Sequence, residues 1–168
     1  MGRFHPFQSS RGGVVPTLYG ASTLDGALSE SIFHNTPVRG AKKFIRLSRL
    51  KPLLVSTIAP RRDLKLVQLH GYGLDRLRVS RAELIDSRAR QYPRTAAWAA
   101  VLHTRREDAD GLVWMSRKHD TSLALVLFGD RVEREDLEVI EPPVPLFSGD
   151  GYLQVERAAE QADITILE

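Results

Sequence analysis

Two apolar runs, residues 112–115 (LVWM) and 122–128 (SLALVLF), stand almost end to end with only the polar stretch 117–121 between them. This pairing constrains the fold more than any other feature of the chain. Runs too short for helices, apolar at consecutive positions, are strands covered on both faces. A short polar connection makes them sequence neighbours that pair. The chain is therefore expected to build around a buried sheet centre, with its remaining segments as cover.

Those segments read as a mixture of strands and helices. Residues 1–16 form an irregular arm that Phe4, Phe7, Val14 and Val15 can pin to a core. Residues 18–21 (LYGA) are a short strand. Ser22 offers a helix N-cap with Asp25 three residues on, and a helix over 24–35 presents Leu24, Ala27, Leu28 and Ile32 as its apolar stripe. Residues 38–52 read as a looser stretch. Residues 53–59, β-branched and bounded by prolines, predict a strand, and 64–70 another. Ser80 and Glu83 have capping-box spacing at the start of a helix over 80–86. An Ala-rich helix over 92–103 turns Trp98, Val101 and Leu102 inward. A strand over 137–140 stops at Pro142-Pro143, a helix follows over 151–161, and 164–167 closes the sheet. Short strands mixed with helices indicate an α+β class rather than strict βαβ alternation. With no linker or repeat, residues 1–168 are expected to form a single compact domain.

Composition narrows the function. The net charge of +3 comes from 24 basic and 21 acidic residues scattered along the chain. A nucleic-acid interface would gather its charge on one face. The helix 95–103, dominated by Ala and Trp, is a poor recognition helix, so no direct nucleic-acid binding is expected. A modest positive field suits an anionic small molecule instead. No apolar run is long enough for a membrane helix, and no signal sequence is present. Cysteine is absent, which excludes thiolate chemistry and fits a reducing cytoplasm. The five histidines are dispersed, arguing against a metal site. Glycine-rich nucleotide loops and the nucleophile elbow are missing.

The polar residues that punctuate the apolar segments are Arg3, Tyr19, Glu30 and Ser116. Taken singly, each has an ordinary reading: a mobile terminal charge, an amphipathic core residue, a solvent-facing Glu30–His34 pair, a strand-end turn residue. Their order says more. GRFHP, TLYGAS, DGALSE and DGLVWMSRKHD, followed by LALVLFGD, resemble the successive signatures of the RES domain, the Arg–Glu–Ser family of bacterial toxins that destroy NAD. The resemblance runs from Gly2 to about Arg131. It implies a twisted, mixed, split sheet around an NAD cleft, similar to the ADP-ribosyltransferase toxins. It implies Arg3, Tyr19, Glu30 and Ser116 as the catalytic set, with Arg3, Tyr19 and Ser116 contacting NAD.

The chemistry agrees with such a set. Nicotinamide leaves NAD as a neutral molecule, so cleavage of its glycosidic bond needs no general acid, unlike ordinary glycoside hydrolysis with two carboxylates. Glu30 then stabilises the oxocarbenium-like ribose. Arg3 grips the pyrophosphate, Tyr19 stacks on the nicotinamide, and Ser116 hydrogen-bonds phosphate, ribose or carboxamide. Family members typically carry a strand before the Gly-Arg segment, whereas Arg3 stands near the start of this sequence. Arg11, Arg61 and Arg62 are the fallback anchors. No cofactor is required; NAD is the substrate, with inorganic phosphate as co-substrate if the bond is broken by phosphorolysis rather than hydrolysis. The resemblance also implies a type II toxin–antitoxin system with an Xre-type antitoxin as partner. Tyr72, Trp98, Trp114 and Tyr152 are candidates for that surface or for a homodimer contact. The alternatives are a protein ADP-ribosyltransferase and a binding module without chemistry.

Overall fold

The two apolar runs are adjacent antiparallel strands at the centre of a four-stranded mixed sheet. The computed structural model describes residues 2–37 and 43–168; the part of the expected loose stretch at 38–42 lies outside them. Strand β1 (Thr17–Ala21) pairs antiparallel with β6 (Leu123–Phe128), β6 antiparallel with β5 (Gly111–Met115), and β5 parallel with β4 (Leu66–Gln68). Two further ladders lie apart from it. Strands β2 (Lys43–Arg46) and β8 (Ile164–Leu167) are parallel, and β3 (Leu54–Pro60) and β7 (Leu137–Pro145) antiparallel. The fold is thus α+β, with its strands split among three ladders. The C-terminal strand does not close the main sheet, as expected, but completes the separate ladder with β2.

Helices α2 (Tyr72–Leu77), α3 (Arg81–Leu84) and α4 (Tyr92–Arg105) bridge the parallel strands β4 and β5. The Ser80–Glu83 capping box forms as its spacing predicts. In α4 the buried face is Tyr92, Thr95, Ala96, Ala99, Leu102 and His103. Val101, expected inward, is 51% exposed. Small alanines carry the contact and let the helix lie close to the sheet, so the larger Val101 falls on the opposite flank. Strand β7 continues through Pro142 and Pro143, where it was expected to stop. Proline cannot donate to a ladder, and here both prolines fall where the β3–β7 register shifts, between the Val55–Val144 and Thr57–Glu141 pairs.

Two hydrophobic clusters result. One joins Phe4, Phe7 and Val15 of the N-terminal arm to Leu112, Trp114, Val126 and Phe128 of the sheet, and to α4. The other joins Leu28 of helix α1 (Leu24–Ser31) and Ile32 just after it to β2, β8 and helix α5 (Gly149–Gln161). Trp114 is core and Tyr152 packs against the second cluster, so of the aromatic residues considered for a partner surface only Tyr72 stands fully in solvent.

Candidate active site

Helix α1 ends at Ser31, a turn short of the expected Asn35. The Ile32 and Phe33 amides both donate to Leu28 O, Phe33 turns into the second cluster, and Thr36 closes on Phe33 O through its amide and its hydroxyl. His34 is therefore on a turn rather than on the helical flank of Glu30.

The helix is seated on the β5–β6 connection by small residues. Thr23 caps it, accepting from Gly26 N at 3.1 Å, and Thr23 Oγ1 donates to Ser122 Oγ at 2.9 Å. A Cβ on Gly26 would stand 2.0 Å from Ser122 Oγ, so only glycine permits this approach. Glu30 is four residues further, on the same face. That face brings it to the end of β5. Glu30 Oε1 accepts from Ser116 Oγ at 2.7 Å and from Arg117 N at 2.8 Å. Its side chain is 16% exposed rather than solvent-facing. Its second oxygen lies 3.7 Å from Arg3 Nη1.

Ser116 has no exposed surface. Its hydroxyl donates to Glu30 and accepts from Lys118 N and His119 N, at 3.3 and 3.2 Å. The hydroxyl's hydrogen-bonding capacity is thus spent within the protein, on the carboxylate and two amides. Arg81 fixes the same strand end from below, donating to Met115 O and Ser116 O.

Arg3 does not fray. Gly2 and His5 form a β-bridge around it, Thr95 Oγ1 donates to its carbonyl, and Phe4 is fully buried edge-on to Trp114 at 5.1 Å. The Arg3 side chain is 4% exposed, with its guanidinium 5.9 Å from the Trp114 ring centre. Burial pushes its pKa down while Glu30 opposes the shift. Its Nε and Nη2 are buried without a protein partner. The guanidinium stands at the cavity wall with one edge against Glu30 and little of its surface open. Of the fallback anchors, Arg62 is held by Asp110 and Asp136, Arg61 pairs with Glu138, and Arg11 lies exposed on the arm.

Tyr19 closes the arrangement. Its hydroxyl accepts from Phe4 N at 3.0 Å, and its ring meets Trp114 edge-on at 6.3 Å. Burial pushes the hydroxyl up to about 12, so it stays protonated. The residue is nonetheless 42% exposed, its open ring surface facing a cavity. That cavity, about 550 Å3, is lined by Arg3, Tyr19, Glu30, His34, Tyr92 and Trp114 among others, with Ser116 behind its wall. Its volume falls within the usual range for small-molecule sites. His34 Nε2 and the Tyr92 hydroxyl share a hydrogen bond of 3.0 Å across it. Burial first, then Arg117, pushes the His34 imidazole below its ordinary value, against the pull of Glu30. Tyr92 and Arg117 carried no sequence signal of this kind; each looked like an ordinary helix start or turn residue.

The arrangement offers one immobilised carboxylate with a buried cation beside it, at the wall of a cavity lined in part by Tyr19, Tyr92 and Trp114. It can stabilise a developing positive charge on a bound molecule. The family model for the RES domain matches residues 1–147, most of the chain. No curated protein and no solved structure matches the chain.

Proposed function

The chain belongs to the RES-domain family, which is associated with NAD-related toxins of toxin–antitoxin systems, and from that membership we propose that it cleaves the nicotinamide–ribose bond of NAD. The observation that carries this reading is the Glu30 carboxylate, fixed through one oxygen by Ser116 and Arg117 N and facing the cavity beside Tyr19. As the bond breaks, its electron pair passes to the pyridinium nitrogen and nicotinamide leaves neutral. The positive charge moves to ribose C1′ and its ring oxygen. A carboxylate already held in place stabilises that charge without reorganising. Water or inorganic phosphate then supplies an oxygen to C1′ and releases a proton. The open surface of Tyr19 suits the flat, cationic nicotinamide of the ground state. Arg3 and Ser116 act on Glu30 rather than on the substrate. In a cell this activity would make the protein a toxin, restrained by an antitoxin that covers the cavity.

Purified protein incubated with NAD, with and without phosphate, tests the reading by mass spectrometry of the products. Nicotinamide with ADP-ribose identifies hydrolysis; ADP-ribose-1-phosphate appearing only with phosphate identifies phosphorolysis. Label from NAD transferred to an added protein would replace both by ADP-ribosylation. A folded protein that releases no nicotinamide in any of these conditions overturns the proposal.

A further inference from the structure

A second cavity, about 530 Å3, adjoins the first and shares His34, Asn35, Ala89 and Tyr92 with it. Its wall carries three cations: Arg88, Arg117 and Lys118. Other arginines of the protein are committed to carboxylates: Arg62 to Asp110 and Asp136, Arg81 to Asp86, Arg94 to Glu83, Arg106 to Asp108. Among the described residues, none of the three cavity cations forms an ion pair. Arg117 and Lys118 are instead held by carbonyls of the α1 turn. Arg117 Nη2 donates to His34 O at 3.3 Å and Lys118 Nζ to Thr36 O at 2.6 Å, which fixes both heads and leaves each with further donors. The acidic residue nearest them in the chain, Asp120, is exposed and lines a different cavity with Asp86, which Arg117 and Lys118 also border.

Crowding these charges has a cost. Burial, then Arg117 and Lys43, pushes the Lys118 ammonium below its ordinary range. Arg117 and Lys118, gathered and half-buried, with the exposed Arg88 on the same cavity wall, are the arrangement an anion completes. Arg3, the other cation near Glu30, is 4% exposed and faces the carboxylate, so it offers an anion little open surface.

We propose that Arg88, Arg117 and Lys118 form the phosphate-binding subsite of the neighbouring cavity. This rests on the NAD-cleaving reading for its role, though not for its existence. The ligand chemistry is a phosphate dianion or pyrophosphate, and it has two sources: the inorganic phosphate that attacks ribose C1′, or the pyrophosphate of the dinucleotide itself. In the first case the subsite delivers the nucleophile; in the second it carries the ADP half of the substrate while the nicotinamide half lies beside Tyr19.

The test is calorimetric titration of the whole protein with inorganic phosphate and, separately, with ADP-ribose, compared with the Arg88→Ala and Lys118→Gln variants. Neither ligand needs turnover, so this measurement decides the subsite even if NAD is not cleaved. Loss of one charge-assisted contact should weaken binding roughly tenfold to a hundredfold. Weakened inorganic phosphate, with a raised KM for phosphate and an unchanged KM for NAD, makes the subsite that of the co-substrate. Weakened ADP-ribose, with a raised KM for NAD, makes it the pyrophosphate seat. Circular dichroism and melting curves matching the wild type keep these outcomes clear of misfolding. A wild-type protein that binds neither ligand, or variants that bind both as well as it does, overturns the subsite.

Discussion

Replacing Ser116 with alanine separates a residue that holds the carboxylate from one that holds the substrate. The hydroxyl donates to Glu30 at 2.7 Å and accepts from two amides, and none of its surface is exposed. Ser116→Ala removes one charge-assisted bond and leaves Lys118 N and His119 N without that acceptor. Stranded buried donors cost about 1–3 kcal/mol of stability, which lowers the melting temperature by roughly 2–12 °C for a chain of this size. Glu30 keeps the Arg117 N bond but loses its shorter restraint. A charge-assisted bond is worth about 1.5–3 kcal/mol, so if it serves mainly to fix the carboxylate, turnover should fall roughly tenfold to a hundredfold. Because Ser116 does not reach the cavity, the KM for NAD should stay within about twofold of wild type, the signature of an interaction felt only in the transition state. Steady-state nicotinamide release at varied NAD, together with a thermal melt, reads all three quantities. An undiminished kcat in a folded variant would refute the positioning argument. A raised KM with kcat intact would show that substrate meets Ser116 directly, and that the buried geometry is not the working one.

Other expectations follow from the same geometry. Glu30→Gln keeps acceptors for Ser116 and Arg117 N, so the protein should fold while nicotinamide release drops about a hundredfold or more; near-normal release would remove Glu30 from the chemistry. Arg3→Met retains packing against Trp114 but strips Glu30 of its buried cation. It should cost about 1–3 kcal/mol in denaturant unfolding and lower kcat more than it raises KM, whereas a rise in KM alone would return Arg3 to the substrate. His34 contributes a pH dependence. Its folded pKa lies below the ordinary imidazole value of about 6.5, so the unfolded chain protonates first as the pH falls. Its contribution is complete above that value and is lost on acidification below it. Unfolding free energies of wild type and His34→Gln should therefore converge as the pH falls below about 6.5; a difference that stays constant on acidification would mean the imidazole is not depressed.

The sequence carried the sheet centre because two apolar runs flanking a polar turn have one economical solution, and the observed β5–β6 pair is that solution. It carried the Ser80 capping box because cap chemistry is local. The β2–β8 ladder was invisible for the opposite reason. Its strands, Lys43–Arg46 and Ile164–Leu167, lie far apart in the chain, and a parallel partner leaves no mark in the local pattern. Within the site, motif order pointed to Arg3, Tyr19, Glu30 and Ser116 together, and the structure gathers them around one cavity. What motif order could not give was which of them face the cavity. Ser116 looked like a turn residue open to ligand; only the path of α1 across the β5–β6 turn shows its hydroxyl to be consumed. Arg117 and Lys118 read only as part of the polar stretch between two strands, because nothing local reveals that carbonyls, rather than carboxylates, hold them.

The glycine that seats α1 bears on how the site comes into being during synthesis. Glu30 finds its donors 86 and 87 residues later in the chain, and its helix is docked on Ser122 across the Gly26 contact. A nascent chain that has released Arg3, Tyr19 and Glu30 from the ribosome still lacks the strand end and turn that fix the carboxylate. The chemistry is withheld until most of the polypeptide has emerged, and fragments ending before β6 should be harmless to the cell that makes them.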